Sequence, residues 1–254
     1  MEFDLTFFAV AVPAVLFAAI SKAGFGSGAA FAAAAILALV LPPATALGIM
    51  LPLLMLVDAA ALRPYWRRWH GPSVVGLLIG AVPGVALGAW LYTQVEADVF
   101  RVLIGAMCLV FVGWQVIGGR VAGQSVEPAP VTPRFRWLAS LTGTFAGFTS
   151  FVSHAGGPPV ALFLLGHGVA KTTYQATTVI VFWAINMMKV VPYAFLGIFT
   201  AQTLIADLIL APVALLGTWL GVRAHFWISE QAFFRLTYVL LVLTGLRLIQ
   251  VGLT

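Results

Sequence analysis

The chain has 254 residues, of which 62% are hydrophobic and 8% charged. A soluble domain carries roughly a quarter of its residues as charged side chains, so this composition excludes that class and indicates a polytopic membrane protein. The formal net charge of +5 belongs to short loops between apolar segments and forms no nucleic-acid patch.

The start, MEFDLTFF, lacks a positive n-region, so the first apolar segment is expected to be a retained helix and not a cleaved signal. Five apolar elements are predicted in the first half, at about 5–21, 27–41, 44–62, 72–93 and 99–118. A glycine-rich break, GFGSG (24–28), separates the first two. The segment GGRVAGQSVEPAPVT (119–133) is the one long polar stretch and reads as a linker. The second half repeats the plan at about 137–153, 157–168, 172–193, 202–222 and 232–252, with HAGGPP (154–159) between its first two elements. All these segments are apolar all round, whereas barrel strands alternate with period two, so a β-barrel is excluded.

The second element of each half is short. Fifteen residues span ~22 Å at ~1.5 Å per residue, less than a hydrocarbon core of ~30 Å. Half-membrane or re-entrant pieces are expected there, which puts the number of transmembrane or half-membrane helices at about 8–10. The single cysteine, Cys108, reads as a small core or lipid-facing residue.

The two halves are related. Pro83, Gly88, Trp90 and Leu91 match Pro212, Gly217, Trp219 and Leu220 at one separation, 129 (83 to 212). Loop charges set the orientation: RPYWRRWH (63–70) is placed in the cytoplasm with the linker and Lys171, and the loop with Glu96 and Asp98 outside. The loop matching 63–70 in the second half, 193–202, then falls outside. The expectation is therefore an all-α fold of two inverted repeats, 1–118 and 134–254, joined by the cytoplasmic linker, with both termini periplasmic in a bacterial inner membrane.

In such transporters the substrate site lies near the midplane, at paired discontinuous helices. Here the pair is SKAGFGSG (21–28) and SFVSHAGGPP (150–159). Glycine lets the chain leave the helix, and the N–H groups that start the next helix attract an anion. The candidate substrate-binding residues are Gly26, Ser27 and Gly28 in the first break and Ser150, Ser153, His154, Gly156 and Gly157 in the second. Asn186 and Lys189 join them because they share one helix face inside an apolar segment. Lys22, Asp58 and Asp207 are candidates for coupling. Each has a structural reading beside the functional one: the breaks as plain kinks, His154 as a helix cap, Lys22 and Lys189 snorkelling to opposite surfaces, the aspartates as structural. Gln175, Thr177 and Thr178 are expected to bond backbone carbonyls or adjacent helices.

No catalytic residues, metal or cofactor are expected. His70, His154, His167 and His225 are scattered without ligand spacing, and no P-loop is present. An intramembrane enzyme acting on a lipid phosphate would need clustered acids or a metal set; that class and an anion channel are the alternatives to a transporter. The partners expected are a small anion and the lipid bilayer, with no nucleic acid.

GFTSFVSHAGGPPVALFLL (147–165), followed by ATTVIVFWAINMMKVVPY (176–193), resembles the second repeat of the TauE/SafE sulfite exporter family. GFGSG with LPPATALGIMLPL (41–53) is similar to that family's first glycine-rich repeat. The resemblance covers nearly the whole chain and implies export of sulfite, sulfoacetate and related organosulfonates. One departure is that family members often carry three adjacent glycines where this chain has Gly26-Ser27-Gly28.

Overall fold

The computed structural model describes residues 3–24, 31–118, 130–224 and 230–254. The described residues form ten helices and no strand: α1 (Leu5–Gly24), α2 (Phe31–Leu37), α3 (Pro43–Leu62), α4 (Gly71–Gln94), α5 (Ala97–Gly118), α6 (Pro133–Ser153), α7 (Gly157–Gly166), α8 (Lys171–Phe195), α9 (Ala201–Ala224) and α10 (Glu230–Leu253). A chain this apolar is helical because lipid offers no partner for a free backbone N–H or C=O. Prolines 13, 52, 83, 192 and 212 lie inside helices. Five helices among the described residues are long and apolar enough to cross a bilayer: α1, α3, α4, α8 and α9.

Some boundaries differ from the sequence reading. α6 starts at Pro133, inside the expected linker, because proline suits the first helical position and the Thr132 hydroxyl caps the Phe135 N–H at 3.1 Å. The two short elements are shorter still, seven residues in α2 and ten in α7. Each is well below one crossing, α7 spanning only ~15 Å.

Three seams of small residues bind the helices. On α4 and α6 a Cβ at Gly80 would lie 1.8 Å from the Ser140 carbonyl oxygen, one at Gly84 2.1 Å from that of Thr144, and one at Gly143 2.0 Å from that of Leu77. Gly24 meets Gly221 between α1 and α9, and Gly105 meets Gly245 between α5 and α10. Without a hydrophobic drive between helices in lipid, close backbone approach at small residues is what holds them together.

These seams also give directions. Gly76 faces Ala139 and Gly88 faces Phe151, so α4 and α6 run parallel; Gly217 near Ala19 and Gly221 near Ala23 make α1 and α9 parallel too. Gly105 lies against Gly245 while Gly252 lies against Asp98, so α5 and α10 run antiparallel. In α3 and the α8 region, Gly48 approaches Ile198 while Asp58 bonds Asn186, again antiparallel. The packing is matched between halves: α1 on α9 as α6 on α4, α3 on α9 as α8 on α4, α2 on α1 as α7 on α6.

Candidate functional site

The broken helix α6–α7 is built by the residues that interrupt it. α6 ends where His154 adopts a left-handed conformation, φ 57° and ψ 16°. Its N–H donates to the Ser150 carbonyl at 3.0 Å, and the Ala155 N–H donates to that of Thr149 at 3.2 Å. A non-glycine residue in this region is uncommon, and here it closes a helix C-terminus. Gly156 follows where no side chain fits, since a Cβ there would lie 2.8 Å from both the Ala146 oxygen and the Phe182 ring. Gly157 then starts α7.

α8 passes this break and delivers Lys189, whose side chain is fully buried. Its ammonium donates to the Ser150 carbonyl and hydroxyl at 3.0 Å each and to His154 Nδ1 at 2.8 Å. The roles here follow the tautomer: in a neutral ring with its proton on Nε2, Nδ1 accepts. That Nε2–H points at the Leu47 carbonyl of α3, 3.3 Å away. Tyr193, one turn on, donates to the Phe151 carbonyl at 2.8 Å and stacks edge-on against the Phe151 ring.

An ion pair forms a second buried cluster around Asn186, which lies on α8 with Lys189. Lys22 at the end of α1 forms an ion pair with Asp58 of α3 at 2.9 Å, both side chains at most 5% exposed. Asn186 donates to the same Asp58 oxygen at 2.9 Å, and Gln175 donates to the Lys22 carbonyl at 3.0 Å. Among the described residues the other Asp58 oxygen, Oδ1, has no hydrogen-bond partner, nor has the Ser21 hydroxyl. The Lys22 ammonium also stands 5.7 Å from the centre of the Phe182 ring.

Six of the residues singled out from sequence thus form two buried clusters, Lys22, Asp58 and Asn186 in one and Ser150, His154 and Lys189 in the other, with α8 contributing Asn186 to the first and Lys189 to the second. Neither lysine snorkels, because each finds acceptors inside the protein. Ser153 is buried beside them but bonds elsewhere, to the Thr149 carbonyl and to Met107 Sδ, each at 3.2 Å. Asp207 lies on α9, with both carboxylate oxygens buried and, among the described residues, without a hydrogen-bond partner. Gly26, Ser27 and Gly28 lie outside the described residues. Among the others, Thr177 bonds the Thr173 carbonyl at 2.6 Å and accepts the His70 N–H at 2.9 Å, and Thr178 bonds the Gln175 carbonyl at 2.9 Å. Sequence reasoning missed Tyr193 as a brace of the break; its place four residues after Lys189, on the same helix face, was the available signal.

Two details decide what the clusters can attract. Pro158 and Pro159 carry no N–H, so the start of α7 has few free donors and supplies less positive potential than an ordinary helix terminus. Among the described residues the Lys189 amine has only neutral hydrogen-bond partners, a carbonyl, a hydroxyl and an imidazole. A buried cation without a counter-ion is costly, and an anion completes it. A cavity of about 630 Å³ between α5, α6 and α7, lined by Met107, Val110, Phe145, Pro158 and Leu162, is by contrast almost wholly apolar. With Val110 70% and Phe145 58% exposed, it opens toward lipid and offers an anion nothing.

Ten helices around two buried polar clusters, with several long enough to span a bilayer, define a polytopic membrane protein with a polar site in its interior. The family model described as Sulfite exporter TauE/SafE matches residues 11–248, nearly the whole length, and the chain belongs to that family. The comparisons with curated proteins and with solved structures found no match. TauE/SafE is a transporter family, so the protein is a membrane transporter of the sulfite exporter kind and not an enzyme.

Proposed function

We propose that this protein is a secondary transporter that exports sulfite or a small organosulfonate across the bacterial cytoplasmic membrane by alternating access. The observation that carries the substrate site is Lys189: a fully buried amine in the C-terminal half of a membrane-spanning helix, bonded to Ser150 and His154. The anion docks against Lys189 at the α6–α7 break, with the Ser150 hydroxyl and the His154 ring holding the ammonium in place. Ser153, Gly156 and Gly157 shape the break, and Gly26, Ser27 and Gly28 are the candidates that the first glycine-rich stretch contributes.

The scaffold is two inverted repeats, 1–118 and 134–254, joined by a cytoplasmic linker at 119–133, with both termini periplasmic. The antiparallel crossings of α5 with α10 and of α3 with the α8 region, and the matched packing of the halves, are what a pseudo-twofold axis in the membrane plane requires. The polar pairs follow the same relation. Lys22 and His154 end the first helix of each half at a separation of 132 (22 to 154), and Asp58 and Lys189 lie on the third at a separation of 131 (58 to 189). Rocking one repeat against the other then exposes the shared site to each side in turn. Lys22, Asp58 and Asp207 are the coupling candidates.

Purified protein in liposomes is expected to move labelled sulfite or sulfonate in a saturable manner that depends on a second ion gradient. Absence of flux for every sulfur oxyanion, under any gradient, defeats the proposal. A non-saturating flux indifferent to a second ion assigns the fold to a channel instead.

A further inference from the structure

We infer that Lys189 is a neutral amine in the empty site and takes up a proton when the anion binds, so that proton and anion occupy the site together. The inference rests on the anion site proposed above and names the proton as its second ligand. The geometry around Nζ serves both states. Its three contacts are the Ser150 carbonyl and hydroxyl, at 3.0 Å each, and His154 Nδ1 at 2.8 Å. An amine has two N–H donors and one lone pair, whereas an ammonium has three donors and no lone pair. As an amine, Lys189 donates to the carbonyl and to Nδ1, and the Ser150 hydroxyl turns its own proton onto the amine lone pair. As an ammonium, Lys189 donates to all three, and the hydroxyl proton swings free to meet an anion. The switch needs only a rotating hydroxyl. His154 keeps its Nε2–H on the Leu47 carbonyl in both states, since a carbonyl only accepts.

No fixed negative charge holds the proton in the empty site. Among the titratable and charged groups on the elements packed against α8, α3 carries Asp58, α4 Tyr92 and α6 Arg134 and Arg136 at its start, while α7 carries none. None of these bonds Lys189. Asp58 is committed to Lys22 at 2.9 Å; it attracts a charge on Lys189, and Lys22 repels one. On α8 itself Tyr193 offers only its ring, 5.9 Å from Nζ, because its hydroxyl donates to the Phe151 carbonyl. A lone ammonium that is fully buried is expensive, so the empty site holds the amine. An anion entering alone would be expensive for the same reason. Arriving together, the proton binds the Nζ lone pair and the anion balances the charge this creates, so the filled site has the same net charge as the empty one.

The test measures binding of labelled methanesulfonate to the full-length protein in nanodiscs, from about pH 6 to about pH 9. Methanesulfonate is the anion of a strong acid and keeps its single charge throughout, so any pH dependence belongs to the protein. A proton present in the complex and absent from the empty site makes the Kd rise with pH, by about tenfold per unit at full linkage. In weak buffer with a pH-sensitive dye, the same samples should take up about one proton per anion bound. Lys189→Arg carries a guanidinium that stays charged, so its Kd should hold within about twofold across the range, without proton uptake. A level wild-type Kd with no proton uptake overturns the inference. So does a slope that persists undiminished in Lys189→Arg, which would put the proton on another group. The wild-type arm decides even where the variant fails to fold. Binding that is absent at every pH, or indifferent to Lys189→Met, would instead defeat the anion site itself.

Discussion

Replacing Lys189 by methionine keeps the length and apolar stem of the side chain and removes its charge. The ammonium is fully buried, and its hydrogen-bond partners are Ser150 and His154, all neutral. An anion in contact at about 4 Å gains about 4 kcal/mol from that charge at an effective dielectric constant of about 20. The anion's lost hydration and the displaced bonds to Ser150 and His154 return part of this, leaving about 2–4 kcal/mol. That corresponds to a Kd weaker by roughly 30- to 1000-fold. The assay is equilibrium binding of labelled sulfite to purified protein in nanodiscs, with Lys189→Arg as the charge-retaining control, expected within about tenfold of wild type. Thermal unfolding of the same samples supplies the second readout. Methionine spares the fold a buried charge, so the midpoint should not fall as it does when a structural ion pair loses one partner. A folded Lys189→Met protein binding sulfite within about threefold of wild type would refute the assignment of Lys189 as the anion's counter-ion.

Asp58→Asn or Lys22→Met alone leaves a buried charge unpaired and should cost about 3–5 kcal/mol, whereas the double change should cost much less; melting of the three variants in detergent checks this. His154→Gly accepts the left-handed backbone at φ 57° while removing the ring that receives Lys189. It should leave the melting point within the equivalent of about 1 kcal/mol yet weaken sulfite binding, and an unaltered Kd would reduce His154 to a helix cap. In the α4–α6 seam, Gly80→Ala places a methyl 1.8 Å from the Ser140 oxygen and should destabilise by about 1–3 kcal/mol. Gly71→Ala, with nothing within 4 Å, is its neutral control, and equal melting of the two would discount the seam.

Much of the fold was legible because lipid leaves a chain few choices. Long apolar runs become helices, glycine and proline punctuate them, and the sequence reading marked out the same ten elements that the structure shows. The α6–α7 break was visible in HAGGPP, and the shared face of Asn186 and Lys189 followed from their spacing of three on a helix. Boundaries were less legible: Pro133 and Thr132 start α6 through a local cap inside what read as linker.

What composition and periodicity left open was whether each ionisable residue faces a partner or a surface. A lysine near a helix end has the same sequence signature whether it snorkels or turns inward. Lys22 turns inward because Asp58, from a helix two elements later, stands 2.9 Å away, and Lys189 because the end of α6 presents Ser150 and His154 to it. Sequence by itself determined the helices, the break and the presence of four rare polar residues, Lys22, Asp58, Asn186 and Lys189, within apolar spans. Only the tertiary structure decided which of them meet, since contacts between residues 36 (22 to 58) or 128 (58 to 186) positions apart depend on how helices cross and not on any local pattern.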